Sequence, residues 1–307
     1  MFDIKAIMAS YGFHIIGEVN YNTENCQRFR SVHKPHGEKD LFLFLHGDRG
    51  ATFGDWHDPS NWPTWWNKSN KLTINDLKDR IEYLEEVKIR KNEMRLIAIE
   101  RAFNFWEANY VSHYIDQNPY ALKKRINTYY ARGINHYRYI RDILLIPIAD
   151  IDMQFKSVQI IKANGFKRLW KGTSQKGNMI WLSEKLENDY SGSIRICEGY
   201  ATGCSIYEAI GDPVVCAINA SNLVNVAVQL RAKFVNAKLK ICADNDQWGK
   251  ENVGLKYGKE ALMRTGATLH YPDFSGVDIS TQPTDFNDLM CLTNIEAVEN
   301  QLILIRK

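Results

Sequence analysis

Apolar and polar positions change rhythm along the chain, and each change marks an element. An apolar, strand-like run at Leu41–His46 is followed by a Gly-Asp-Arg-Gly turn, then by Ala51-Thr52-Phe53-Gly54-Asp55-Trp56 and a Trp-rich, Pro-punctuated stretch through Trp62, Trp65 and Trp66. This predicts a small α+β module over residues 1–70, its tryptophans either closing a small core or stacking nucleic-acid bases. From Thr73, a candidate N-cap, the rhythm turns helical: Leu77, Ile81 and Leu84, a charged middle, then Leu96, Ile99, Phe103, Trp106 and Tyr110. A helical arm over 71–118 follows, either continuous or broken near Asn92, and expected to end at Asn118-Pro119 because the residue before proline leaves the α region. Residues 119–188 read as an α+β subdomain, with buried-strand signals at Ile143–Ile148 and Phe155–Ile161.

The last third alternates most regularly. Strand-like segments at Ser193–Cys197, Val214–Ile218, Leu239–Ala243 and Thr268–Tyr271 are each followed by a helical or loop segment, with a short helix near Asp285–Cys291. That alternation predicts an α/β domain over 189–292, a parallel sheet with flanking helices, and a tail helix over 293–307. Ligands of such sheets sit at the carboxyl ends of the strands.

Composition narrows the class. The 307 residues are 45% hydrophobic and 24% charged, the balance of a globular protein with two or three domains. No apolar run reaches the roughly 18 residues of a membrane helix, and the first residues lack a secretory pattern, so no membrane partner and a cytoplasmic location are expected. Six cysteines, scattered and without a CxxC pair, argue against a disulfide framework and for a reducing compartment. Cys26, His33, His36 and His46 fit no standard zinc spacing, so no zinc is expected.

Net charge is only +3, but its distribution is uneven. Between Tyr120 and Gly177 twelve Lys and Arg residues face three acids, interleaved with Tyr129, Tyr130, Tyr137, Tyr139 and Trp170. Cations for phosphates and rings for bases are the make-up of a nucleic-acid groove, although a solvated basic face has the same composition.

Acids mark the opposite feature. Glu198-Gly199 follows the first strand of the α/β domain, Asp244-Asn245-Asp246 the third, and Asp285-Phe286-Asn287-Asp288 the segment after the fourth. All fall at carboxyl strand ends and so on one rim, where unpaired carboxylates repel one another. A bound divalent cation with oxygen ligands, Mg²⁺ or Mn²⁺, is the usual resolution. Gly199 is expected to permit a sharp turn after Glu198.

The stretch CEGYATGCSIYEAIGDPVVCAINASNLVNVAVQLR, with ICADND and TDFNDL beyond it, resembles a Toprim domain, and among Toprim proteins the bacterial-type primases of plasmids and phages. LLIPIADIDMQFKSVQIIKANGFKRLWKG resembles the segment preceding Toprim in those primases, NPYALKKRI their entry motif, and GATFGDW a signature of their N-terminal module. The resemblance implies a Toprim domain preceded by a primase-type subdomain. It implies Glu198 as catalytic acid/base, Asp244, Asp246 and Asp285 as metal ligands with Asp288 as a helper, and Lys124, Lys167, Arg168 and Lys171 as holders of template or nucleotide phosphates. The implied activity is synthesis of RNA primers from ribonucleoside triphosphates on single-stranded DNA. A Toprim nuclease and a non-catalytic single-strand-binding module stand as alternatives. There is no zinc ribbon, and no GxxxxGK[ST] loop, so the resemblance implies a separate replicative helicase. Gly203 stands where the family commonly has Ala.

Overall fold

The structure, a computed structural model, describes residues 3–23, 25–47, 50–58, 61–67, 74–109, 118–129, 131–133 and 143–303. Thr73, Tyr110, Tyr130, Tyr137 and Tyr139, singled out above, lie outside the described residues. The chain divides into two compact units, Met1–Glu86 and Val87–Lys307.

In the first unit, helix α1 (Ile4–Ser10) precedes strands β1 (Ile15–Ile16), β2 (Gln27–Ser31), β3 (Leu41–Leu45), β4 (Gly50–Asp55) and β5 (Thr64–Trp66). The strands pair antiparallel in sequence order. Alternation puts Leu41, Leu43, Leu45, Ala51 and Phe53 on one face, against Ile4 and Met8 of α1. On the other face Phe42 lies beneath Trp62 and Trp56, with ring centroids 4.8 and 5.6 Å away. Trp62 can approach this closely because position 54 is glycine: a Cβ there would stand 2.7 Å from its Cδ1. Its indole N–H donates to the Asp55 carbonyl at 2.7 Å. The second glycine of GATFGDW is thus a seat for a tryptophan.

Helix α2 (Ile74–Ala108) continues unbroken past Asn92. Ala102 is buried with Leu145, Val158 and Ile160, while Phe103 and Phe105 stand 5.3 and 4.9 Å from the rings of Phe155 and Trp170. The last turns of α2 are therefore part of a core. The expected helix end at Asn118-Pro119 is instead a helix start. Asn118 Oδ1 accepts from the Tyr120 N–H at 2.9 Å and caps α3 (Pro119–Lys124), whose first position tolerates proline because its N–H has no intrahelical partner.

A small antiparallel sheet follows: β6 (Arg132–Gly133), β7 (Ile143–Ala149), β8 (Phe155–Lys162) and β9 (Lys167–Leu169), in that order. Leu145 and Ile160 face α2, and Leu144, Ile146, Ile148 and Ile161 face the next core. Burial on both faces explains the near-continuous apolar run of β7.

The larger sheet contains β10 (Ile180–Leu182), β11 (Ser193–Cys197), β12 (Val214–Cys216), β13 (Lys238–Cys242) and β14 (Thr268–His270). Its order is β10-β12-β11-β13-β14. The four expected strands are parallel, but β10 pairs antiparallel with β12, so the sheet is mixed. Three residues carry too short a pattern to announce that edge strand. Paired backbone hydrogen bonds between Ala149 and Met179 link the small sheet to this one.

One face of the large sheet shares a core with α4 (Tyr200–Ile210), α7 (Phe286–Leu292) and α8 (Ile295–Ile303), and the other with α5 (Ala220–Lys233) and α6 (Val253–Thr265). Val298 and Leu302 of α8 are buried in the first of these cores. The expected tail helix is thus a structural member of the domain. No helix among the described residues is long and apolar enough to cross a membrane.

Candidate active site

Strands β11 and β13 are parallel neighbours with Cys197 opposite Cys242. Glu198 and the Asp244-Asn245-Asp246 loop therefore leave the sheet side by side. Beyond β14, Asp285 caps α7, its Oδ1 accepting from the Asp288 N–H at 2.7 Å. Its Oδ2 accepts from Thr202 Oγ1 on α4 at 2.9 Å, fixing α7 against the first turn of α4.

The Asp244–Asp246 loop is held from two sides. Asp246 Oδ2 accepts from the Gly254 N–H at 2.8 Å, at the start of α6. Asn252 Oδ1 accepts from the Asp246 N–H at 3.0 Å, and its Nδ2 donates to Asn245 Oδ1 at 2.8 Å. The Asn245 N–H then donates to the Thr284 carbonyl at 2.7 Å, tying this loop to the one carrying Asp285. Gly254 is required by contact: a Cβ there would run into the Asp244 carbonyl oxygen.

Electrostatics follow from this convergence. Asp244 Oδ1 is buried and has no hydrogen-bond partner, and the carboxyl is held far above the usual range by desolvation and then by the charges of Asp285, Glu198, Asp246 and Asp288. Burial and the Asp246 charge push Glu198 up to about 7, against the opposing pull of the Ala220 N–H and Lys167. Asp285 is raised by burial and by Asp288, with Lys124 opposing. Lys124 Nζ bonds Asp288 Oδ1 at 3.2 Å; burial pulls its ammonium down, but Asp285 and Asp288 outweigh it and hold the pKa above the ordinary value.

The residues singled out in the sequence divide into two groups. Glu198, Asp244, Asp246, Asp285 and Asp288 lie together, with Lys124 and Lys167 beside them; Lys167 Nζ also stands 5.8 Å from the Tyr120 ring centroid. Arg168, the next residue on β9, takes the opposite side of the strand, and it and Lys171 are exposed, with no hydrogen bond or ion pair to the carboxylates among the described residues. Gly199 is the N-cap position of α4 with φ −102°, a conformation open to any residue, so the turn after Glu198 does not draw on glycine's extra freedom. Gly203 has a steric reason instead: a Cβ would collide with Cys216 Sγ and crowd Leu182 and Cys197. Thr202, Asn245, Asn252 and Gly254 were not foreseen. Only Asn252, a good N-cap residue ahead of a helix, carries a signal in the sequence.

Among the described residues no three His, Cys, Asp or Glu side chains are grouped to hold a metal ion. The chemistry of the donors nevertheless suits one. They are all carboxylate oxygens, they repel one another, and Asp244 Oδ1 is buried with no partner, which a hard divalent cation would satisfy.

Residues 193–296 match the family model described as a Toprim domain. Two Escherichia coli proteins, each named DNA primase TraC, are 30% and 28% identical over 134 and 144 residues, covering 42% and 46% of this chain. The match spans only 13% and 10% of those relatives' lengths. Among solved structures, the primase fragment of the bacteriophage T7 primase-helicase protein is 12% identical with a TM-score of 0.41, covering 57% of this chain and 66% of that one. The DnaG primase catalytic domain bound to ssDNA is 11% identical with a TM-score of 0.44, covering 70% and 80%. The Toprim match and the primase relatives agree with the resemblance read from the sequence. All five acids of the cluster fall inside the Toprim segment.

Proposed function

We propose that this chain is a DNA primase that makes short RNA primers on single-stranded DNA by nucleotidyl transfer at the Toprim carboxylates. A single observation supports the reading best: within a Toprim-matched segment, Asp244 Oδ1, buried and without a hydrogen-bond partner, stands among Glu198, Asp246 and Asp285. The 3′-hydroxyl of the growing primer attacks the α-phosphate of a ribonucleoside triphosphate, a P–O bond forms, and pyrophosphate leaves. Asp244, Asp246 and Asp285, with Asp288 adjacent, are the residues that would hold Mg²⁺ or Mn²⁺, whose chemistry is to neutralise phosphate charge and lower the pKa of the attacking hydroxyl.

Glu198, with its pKa near neutrality, is suited to accept the proton of that hydroxyl. Lys167, beside Glu198, is placed to meet a phosphate. Lys124 acts chiefly through Asp288, to which it is bonded. Arg168 and Lys171 belong to the exposed basic surface that would follow the template backbone, with binding that weakens as salt rises. Unwinding would come from a separate helicase, and the setting is the cytoplasm of a bacterial cell carrying a plasmid or phage replicon.

Incubating the protein with single-stranded DNA, labelled ribonucleotides and Mg²⁺ or Mn²⁺ tests this. Short, template-dependent products are expected. Shortened template would make the site a nuclease. Unchanged template binding by Glu198→Gln, with no product from either protein, would make the chain a binding module.

A further inference from the structure

We propose that Trp248 forms a nucleobase subsite beside the carboxylates, stacking the base of a nucleotide whose phosphates face Asp244 and Asp246. The placement of the phosphates rests on the primase reading; the stacking does not. Trp248 follows Asp246 by two residues, and its indole N–H donates at 2.9 Å to the carbonyl of Pro283, two residues before Asp285. The ring therefore lies where the two acid-bearing loops meet.

The polar edge of the indole is occupied by that bond, yet the side chain stays 38% exposed. What it offers to solvent is ring surface. Its neighbours Gln247, Gly249 and Lys250 are exposed as well, so the loop gives the ring no apolar cover. Nor does the loop depend on the indole for its position. The Asn245 N–H already ties it to Thr284, and Asn252 fixes both Asn245 and Asp246. An exposed aromatic ring anchored by its edge, on a loop that is secured without it, is a stacking platform. Stacking uses the face that every base possesses and reads no base edge, as an enzyme that copies any template requires.

The test titrates ATP and inorganic triphosphate, each with Mg²⁺, onto the full chain as wild type, Trp248→Phe and Trp248→Ala, followed by calorimetry. The wild type is expected to bind ATP about tenfold more tightly than inorganic triphosphate. Trp248→Phe, which keeps a ring but loses the N–H bond to Pro283, should retain most of that preference. Trp248→Ala should lose it while binding inorganic triphosphate as the wild type does, which also shows that the site remains folded. A preference that survives in Trp248→Ala, or one lost equally in Trp248→Phe, overturns the subsite, the latter by making the indole a structural staple. If the wild type makes no primers yet shows the Trp248-dependent preference, the subsite stands and the primase reading falls. Primers made with no such preference sink the subsite alone.

Discussion

Asp244 is the residue on which the site turns, because folding buries its carboxylate among four others and leaves one oxygen with no partner. Such a group lowers the stability of the protein that holds it. Asp244→Asn should therefore raise the melting temperature without divalent metal by roughly 2–6 °C, about 1–2 kcal/mol, while abolishing activity. A melting temperature that falls would show that Asp244 is already satisfied. Gly254→Ala should do the reverse: it forces a methyl group into the Asp244 backbone and should cost about 1–3 kcal/mol. Urea denaturation with unchanged stability would refute that contact. The convergence of the acids was legible in the sequence as a set, since all of them stand beyond the carboxyl ends of the strands and so on one rim, although each alone is a weak signal. Thr202, Asn245 and Gly254 were not, because their roles exist only across the gap between separate chain segments. Gly199 misled for a related reason, its identity saying nothing about the φ it adopts.

At the scale of elements, the rim of the large sheet gathers groups whose folded pKa values are raised, and this gives stability a definite pH dependence. Glu198 lies near 7 in the folded chain against 4.5 ordinarily, so between these values the native state holds a proton that the unfolded chain has released. Its contribution is fully present below the unfolded value and is lost as pH rises through the folded one. Asp244 and Asp285 are displaced in the same direction. In chelator, the melting temperature should fall between about pH 5 and pH 8, and excess Mg²⁺ should restore it, with the larger effect at the higher pH. Calorimetric melts at the two pH values check this; a flat profile, or a Mg²⁺ effect that is equal at both, would contradict it. The four parallel strands were legible from their β-branched runs and regular spacing. The antiparallel β10 was too short to be. Asn118-Pro119 was read with the right local rule at the wrong end of a helix: exclusion from the α region fits an N-cap as well as a terminus. The apolar spacing of α8 gave no hint that Val298 and Leu302 would enter the main core, since burial of a short helix depends on what it meets.

For the whole molecule, the division of charge is informative and the net charge is not. Twelve Lys and Arg face three acids between Tyr120 and Gly177, so the rest of the chain is net acidic, and the acids that matter for chemistry fall between Glu198 and Asp288. The basic segment supplies Lys124 and Lys167 to the carboxylates, and leaves Arg168 and Lys171 on the surface. The proposed primase activity calls for such a division, with a basic surface for the template backbone beside the carboxylates. The most direct test is synthesis of labelled RNA on single-stranded DNA by the wild type beside Glu198→Gln and Asp244→Ala, with template binding measured in parallel. The expected result is short, template-dependent product from the wild type, a loss of at least about 10²-fold in either variant, and template binding unchanged in all three. Product that persists at the wild-type rate in both variants would place the chemistry elsewhere and contradict the assignment of the site.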